Sequence, residues 1–115
     1  MSERILKVNS LIHREIGKII FKDLDFPEKT LVTVTRVETS SNLIQTKVYI
    51  SAMPDDKIGE VLAILNSQIY FLQQELNKKI NMRPMPKLIF LEETKTREAG
   101  RIEELLEEIK NKNGK

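Results

Sequence analysis

Apolar positions recur along the chain with two periods, and the changes of period mark out the elements. After Ser2, a suitable helix N-cap, Ile5, Val8, Ile12, Ile16, Ile19 and Ile20 fall three and four residues apart. That spacing predicts a first helix with one apolar face, ending near Lys22. DLDFPEK, with Pro27, reads as a loop. The period then drops to two. Leu31 to Glu38 is rich in β-branched residues and predicts a strand. Ser40, Ser41 and Asn42 form a turn, and Leu43 to Ser51 predicts a second strand. On it, Ile44, Thr46, Val48 and Ile50 should face a core, with Gln45, Lys47 and Tyr49 opposite. The two strands form an antiparallel hairpin with one half-buried face.

A second helical stripe follows. Ile58, Val61, Leu62, Leu65, Ile69, Leu72, Leu76 and Ile80 share one face, with Asp55 or Asp56 as the cap. The stripe covers roughly 22 residues, against ~11–12 for a mean helix. Asn66 and Ser67 sit in its middle, where their side chains compete for backbone groups, so a kink is expected with one of them capping the second half. Lys87 to Glu92 reads as a third strand. Thr94 or Thr96 would cap a last helix with Ala99, Ile102, Leu105, Leu106 and Ile109 on its apolar face, and residues 111–115 should fray. The order α-β-β-α-(kink)-α-β-α predicts an α+β domain over residues 1–110, with a three-stranded sheet carrying its helices on one face.

Composition narrows the function more than the fold. The 115 residues are 40% hydrophobic and 31% charged and contain no cysteine, which suits one soluble globular domain with no disulfide or thiolate–metal framework. One histidine and no Gly-rich phosphate loop leave no expected metal or cofactor. No apolar run reaches the ~20 residues of a membrane span. The start MSERILKVNS carries Glu3, and with Glu15 this argues against a signal or transit peptide, so a cytoplasmic protein with no membrane partner is expected.

Net charge is only +2, but it is unevenly spread. Residues 1–22 hold five Lys/Arg against two acids, and residues 57–91 again five against two. Residues 23–56 hold three against six. Packing the first helix beside the second would turn a weak total into a one-faced positive patch. Arg4, Lys7, Arg14 and Lys18 on the first helix, with Lys78, Lys79, Arg83 and Lys87 after the second, are the candidate phosphate contacts. Pro84 and Pro86 stiffen the segment that carries Arg83. Catalysis has little support. His13 reads as a solvated surface histidine, and Glu103, Glu104, Glu107 and Glu108 as a solvated helix face, not as an acid/base pair.

The stretch VTVTRVETSSNLIQTKVYIS resembles the signature hairpin of the bacterial ribosome-binding factor A family. Met82-Arg83-Pro84-Met85-Pro86-Lys87-Leu88-Ile89-Phe90 is similar to that family's Leu-Arg-x-x-Pro-x-Leu-x-Phe segment, and Gly100-Arg101-Ile102 also fits. The resemblance spans about residues 3–109. It implies a type II KH-like fold and a non-enzymatic factor, acting as a monomer. The expected partners are the small (30S) ribosomal subunit, its precursor particles and 16S rRNA, during late maturation, rRNA processing and cold adaptation. Ordinary KH domains clamp nucleotide backbone with a GxxG loop between two helices. This family has an Ala-x-Gly kink there, and the matching positions here read Gln68-Ile69-Tyr70. The break is therefore expected either at Asn66-Ser67 or at Gln68–Tyr70, and Asn66 and Ser67 join the candidate RNA-binding residues. Asn42 and Thr46 stand where the family usually has Asp and Ala.

Two other classes compete. A protein–protein module would use the sheet face bearing Gln45, Lys47 and Tyr49. A small hydrolase would need a pocket with perturbed titratable groups.

Overall fold

A computed structural model describes residues 3–94. The expected cap at Ser2, the last helix with its capping threonines as a unit, the domain end near residue 110 and the frayed tail at 111–115 lie wholly or partly outside those residues. Within them the elements are α1 (Glu3–Asp23), β1 (Leu31–Thr39), β2 (Gln45–Met53), a 3-10 turn (Asp55–Lys57), α2 (Ile58–Ser67), α3 (Ile69–Lys79) and β3 (Lys87–Glu92).

The sheet runs in the order β1-β2-β3, with β1 and β2 antiparallel and β2 and β3 parallel. A parallel pair needs a crossover, and α2 with α3 supplies it. All three helices pack on one side of the sheet. Ile12, Ile16 and Ile19 of α1, Val61 and Leu65 of α2, and Leu72 and Leu76 of α3 form one buried cluster with Val37, Val48, Ile50, Leu88 and Phe90 from the strands.

β1 changes phase partway along. Val32 and Val34 pair with Ala52 and Ile50, whereas Val37 and Thr39 pair with Val48 and Thr46. The register shifts between Val34 and Arg36, so Thr35 is the extra residue of a β-bulge. Strict alternation from Val34 would have turned Arg36 and Glu38 into the core. Instead they lie opposite it, and Val37 is buried. The Thr39 and Thr46 hydroxyls are buried but 3.0 Å apart, so they satisfy one another.

Four sequence expectations need correction. β2 starts at Gln45, two residues later than the alternation suggested, and Ile44 belongs to the turn, where its side chain is 62% exposed instead of core-facing. Asp55 and Asp56 sit in the 3-10 turn and cap no helix: neither it nor α2 has a side-chain cap hydrogen bond. The expected break in the long helical stripe is present, at the second of its two expected positions: two helices of 10 and 11 residues meet at Gln68, where φ is −106° and ψ is 13°. Asn66 and Ser67 do not cap the second half. Ser67 Oγ turns back to donate to the Ile64 carbonyl at 2.7 Å, the local bond that Ser makes inside helices. Finally, His13 is half-buried, and its Nε2 lies 2.9 Å from the Val34 carbonyl beside the bulge. It is a strap between α1 and β1, not a solvated histidine.

Candidate nucleic-acid interface

Backbone register decides which of the basic residues come together. Asn9 Oδ1 accepts the Thr39 N–H at 2.8 Å, which seats the N-terminal half of α1 on the far end of β1. Thr39 pairs with Thr46, and Thr46 with Leu88. Arg4 and Lys7 therefore project from the same end of the molecule as Lys87. α3 packs beside α1 and runs into the segment 80–86 that feeds β3, so Lys78, Lys79 and Arg83 arrive at that end too. Arg14 and Lys18 lie two to three turns further along α1, toward the other end. Asn66 and Ser67 stand before the break, separated from Lys79 by the whole of α3, about 16 Å. All ten candidates are exposed. The structure gathers six of them and leaves four apart.

The ion pairs divide the cations again. Lys7 lies 3.5 Å from Glu3, and Lys78 lies 3.0 Å from Glu75. Arg14 Nε donates to Glu15 at 2.9 Å, with Lys18 at 3.7 Å from the same carboxylate. Arg14's hydrogen bond and the Lys18 charge hold the Glu15 carboxyl below its usual range, against the opposing effect of desolvation. These are surface pairs of small energetic weight. They still lower the local potential a phosphate would meet. Arg4, Lys79, Arg83 and Lys87 have no carboxylate partner among the described residues. All four belong to the gathered end.

A side chain that the sequence pattern did not single out fixes the exit turn. Gln73 of α3 donates its amide to the Pro86 carbonyl at 3.0 Å, and its Oε1 accepts the Leu88 N–H at 3.0 Å. The two bonds bracket Lys87, so they set its backbone against the helix. Pro86 is itself buried, while Arg83 and Pro84 are exposed. The segment is thus anchored at its end and open at Arg83. Gln73 flanks the apolar stripe one residue after Leu72. A polar residue at that flank, facing the next strand, was the only available signal.

The opposite sheet face carries a different arrangement. Glu93, with a side chain only 1% exposed, accepts from Arg36 Nε and from Thr35 Oγ1, each at 2.8 Å. Arg36 also pairs with Glu38, and its guanidinium carbon sits 3.7 Å from the centroid of the Tyr49 ring. The Glu93 hydrogen bond, with the Glu38 charge, raises the Arg36 pKa above its usual value despite desolvation. Tyr49, one of the residues considered for partner binding, is taken up inside this network. Among the described residues no three His, Cys, Asp or Glu are placed to hold a metal ion, and no helix is long and apolar enough to cross a membrane.

Several known proteins are similar to this chain in sequence and fold. The family model for ribosome-binding factor A matches residues 4–106. A ribosome-binding factor A from Desulforamulus reducens is 34% identical over 116 aligned positions, covering 100% of this chain and 97% of its own. The crystal structure of ribosome-binding factor A from Thermus thermophilus superposes with a TM-score of 0.68 at 25% identity, covering 76% of this chain and 93% of that one. A homology model of the Thermus thermophilus factor, fitted into the cryo-electron-microscopy map of its complex with the 30S subunit, gives 0.63 at 28% identity over 72% of this chain and 88% of that one.

Proposed function

Since the chain belongs to the ribosome-binding factor A family, we propose that it is a non-enzymatic assembly factor that docks its basic end on the 16S rRNA of the small ribosomal subunit. The family is one of ribosome-binding factors, and the α+β fold, with its three-stranded sheet and helices on one face, is the family's KH-like fold. Precursor 30S particles during late maturation and rRNA processing, including under cold conditions, are the expected targets. The factor acts in the cytoplasm, as a monomer.

The observation that carries the rRNA reading is the gathering of Arg4, Lys79, Arg83 and Lys87 at one end without carboxylate partners among the described residues. Cations in this state release condensed counterions when they meet phosphate, and they do so without reading sequence. The 30S complex reported for the Thermus thermophilus factor supports the same partner. Arg14, Lys18, Asn66 and Ser67 lie outside the gathered end and serve as secondary contacts on a wider footprint.

The test is co-sedimentation with 30S and precursor particles of two charge reversals, Arg83→Glu and Lys29→Glu. Lys29 lies in the loop before β1, at the opposite end of the sheet. Arg83→Glu should weaken association with the particle, and Lys29→Glu should leave it near wild type. Equal effects of the two, with both proteins folded, would remove the basic end as the docking surface.

A further inference from the structure

The same end of the molecule carries a feature of another chemistry, at the tip of the β1–β2 turn. A single exposed isoleucine is ordinary on a protein surface. Ile44 differs in how firmly its backbone is held and in what surrounds it. Its N–H donates to Ser40 Oγ at 3.2 Å and to Asn42 Oδ1 at 3.1 Å. Its carbonyl accepts the Lys87 N–H at 3.0 Å. Ser40 Oγ also takes the Gln45 N–H at 3.2 Å, and the Ser40 N–H donates to the Gln45 carbonyl at 2.9 Å. The preceding residue, Leu43, has φ of 61°, a left-handed conformation that a side-chain-bearing residue rarely adopts. The turn thus places a strained residue directly before an isoleucine that is 62% exposed and bonded to the first residue of β3. Such strain persists where the surrounding structure fixes it, and it is concentrated at working surfaces.

We propose that Ile44 is an apolar contact point for rRNA, its side chain packing on ribose and on the face of an unstacked base while Lys87 and the neighbouring cations hold phosphates. The inference rests on the rRNA-docking reading above. RNA is favoured over a protein partner by the residues around the tip. Lys87 is hydrogen-bonded to Ile44 itself, and Arg83 and Arg4 lie at the same end without carboxylate partners among the described residues. A structured RNA offers 2′-hydroxyls and sugars across the wide, shallow groove of its helices and splayed bases in its loops and bulges, and a pinned, blunt side chain can reach either.

The experiment uses the full chain with Ile44→Ser and Ile44→Leu, binding to 30S particles and to protein-free 16S rRNA across a salt series, with melting temperature as a control. Losing most of the apolar contact should weaken binding by Ile44→Ser about tenfold. The loss should be the same at every salt concentration, since no charge is removed, and the melting temperature should not fall, since the side chain is exposed. Ile44→Leu should bind like the wild type. Wild-type binding by Ile44→Ser would overturn the proposal. So would a loss seen with 30S particles but not with protein-free 16S rRNA, which would place a ribosomal protein at the tip. Failure of the wild-type chain to bind either target would instead overturn the docking reading itself.

Discussion

Gln73 Oε1 and the Leu88 N–H meet at 3.0 Å, and this contact ties the second half of the crossover to the second residue of β3. Its companion bond, from the Gln73 amide to Pro86, closes a ring around Lys87. A turn with two prolines supplies few N–H donors of its own, so the helix supplies the missing partners.

Gln73→Ala should therefore lower stability by about 1–2 kcal/mol, since it leaves the N–H of the buried Leu88 and the carbonyl of the buried Pro86 without the Gln73 side chain. It should also weaken 30S binding at temperatures where the variant is fully folded, although no charge has changed. Denaturant melts and binding on the same preparation would check both. Stability lost with binding retained would show that the ring serves the fold alone.

The Arg36–Glu93 pair makes the opposite prediction. It crosses from β1 to the residue following β3, on the sheet face away from the helices, with Glu93 almost fully buried. Removing Arg36 takes the guanidinium away from the buried Glu93 carboxylate, so Arg36→Ala should cost about 3 kcal/mol. Arg36→Lys should not restore the loss, because a lysine cannot donate to Glu93 and Glu38 in a planar fork while stacking on Tyr49. Binding to 30S by the folded fraction of either variant should equal that of the wild type. A thermal melt with parallel sedimentation measures both quantities.

These cases show where the sequence was legible. The periods of Ile5–Ile20 and of Ile58–Ile80 are helical because each stripe meets one core, and both helical regions are present. β3 runs over the residues its pattern indicated, Lys87–Glu92. The phase change in β1 was not read from the sequence: the apolar step from Val34 to Val37 spans three residues, and the bulge at Thr35 turns Val37 to the core. Ile44 was misassigned because alternation has no term for a turn that ends late. Its apolar side chain kept the period while Ser40 and Asn42 took its N–H into the turn. The break at Gln68 falls in the Gln68–Tyr70 window, one of the two positions expected for it, with the buried Leu65 and Leu72 on either side. Among the interface residues, the cations could be named from sequence. Which of them stand together depended on Asn9 and Thr39, 30 residues apart.

His13 gives a compact test of that long-range register. His13→Leu keeps the apolar volume near the core but leaves the Val34 carbonyl at the bulge without its donor. The expected cost is about 1 kcal/mol, the usual net worth of one hydrogen bond. His13→Gln, which retains an N–H donor, should recover part of it. Equal stability of the His13→Leu variant and the wild type in denaturant melts would show that solvent serves the bulge equally well.

The charges at the docking end set the last prediction. Each phosphate neutralised contributes about −0.7 to −0.9 to the slope of log K against log salt, with structured RNA taken as similar. If Arg4, Lys79, Arg83 and Lys87 all engage, association with the 30S particle should show a slope of about −3 or steeper. Arg83→Glu should reduce the steepness by about one. It should also weaken binding by about 1–3 kcal/mol at moderate salt, from one lost charge-assisted contact plus like-charge repulsion. The melting temperature should hold, because Arg83 is exposed and has no ion-pair partner among the described residues. A pairing with Glu98, which lies outside those residues, would make Arg83 a fold residue instead. In that case Arg83→Glu would lower the melting temperature, and binding would decline only with the folded fraction. The slope separates the two outcomes: a phosphate contact changes it, whereas a loss of folded protein lowers the amplitude and leaves the slope as it was.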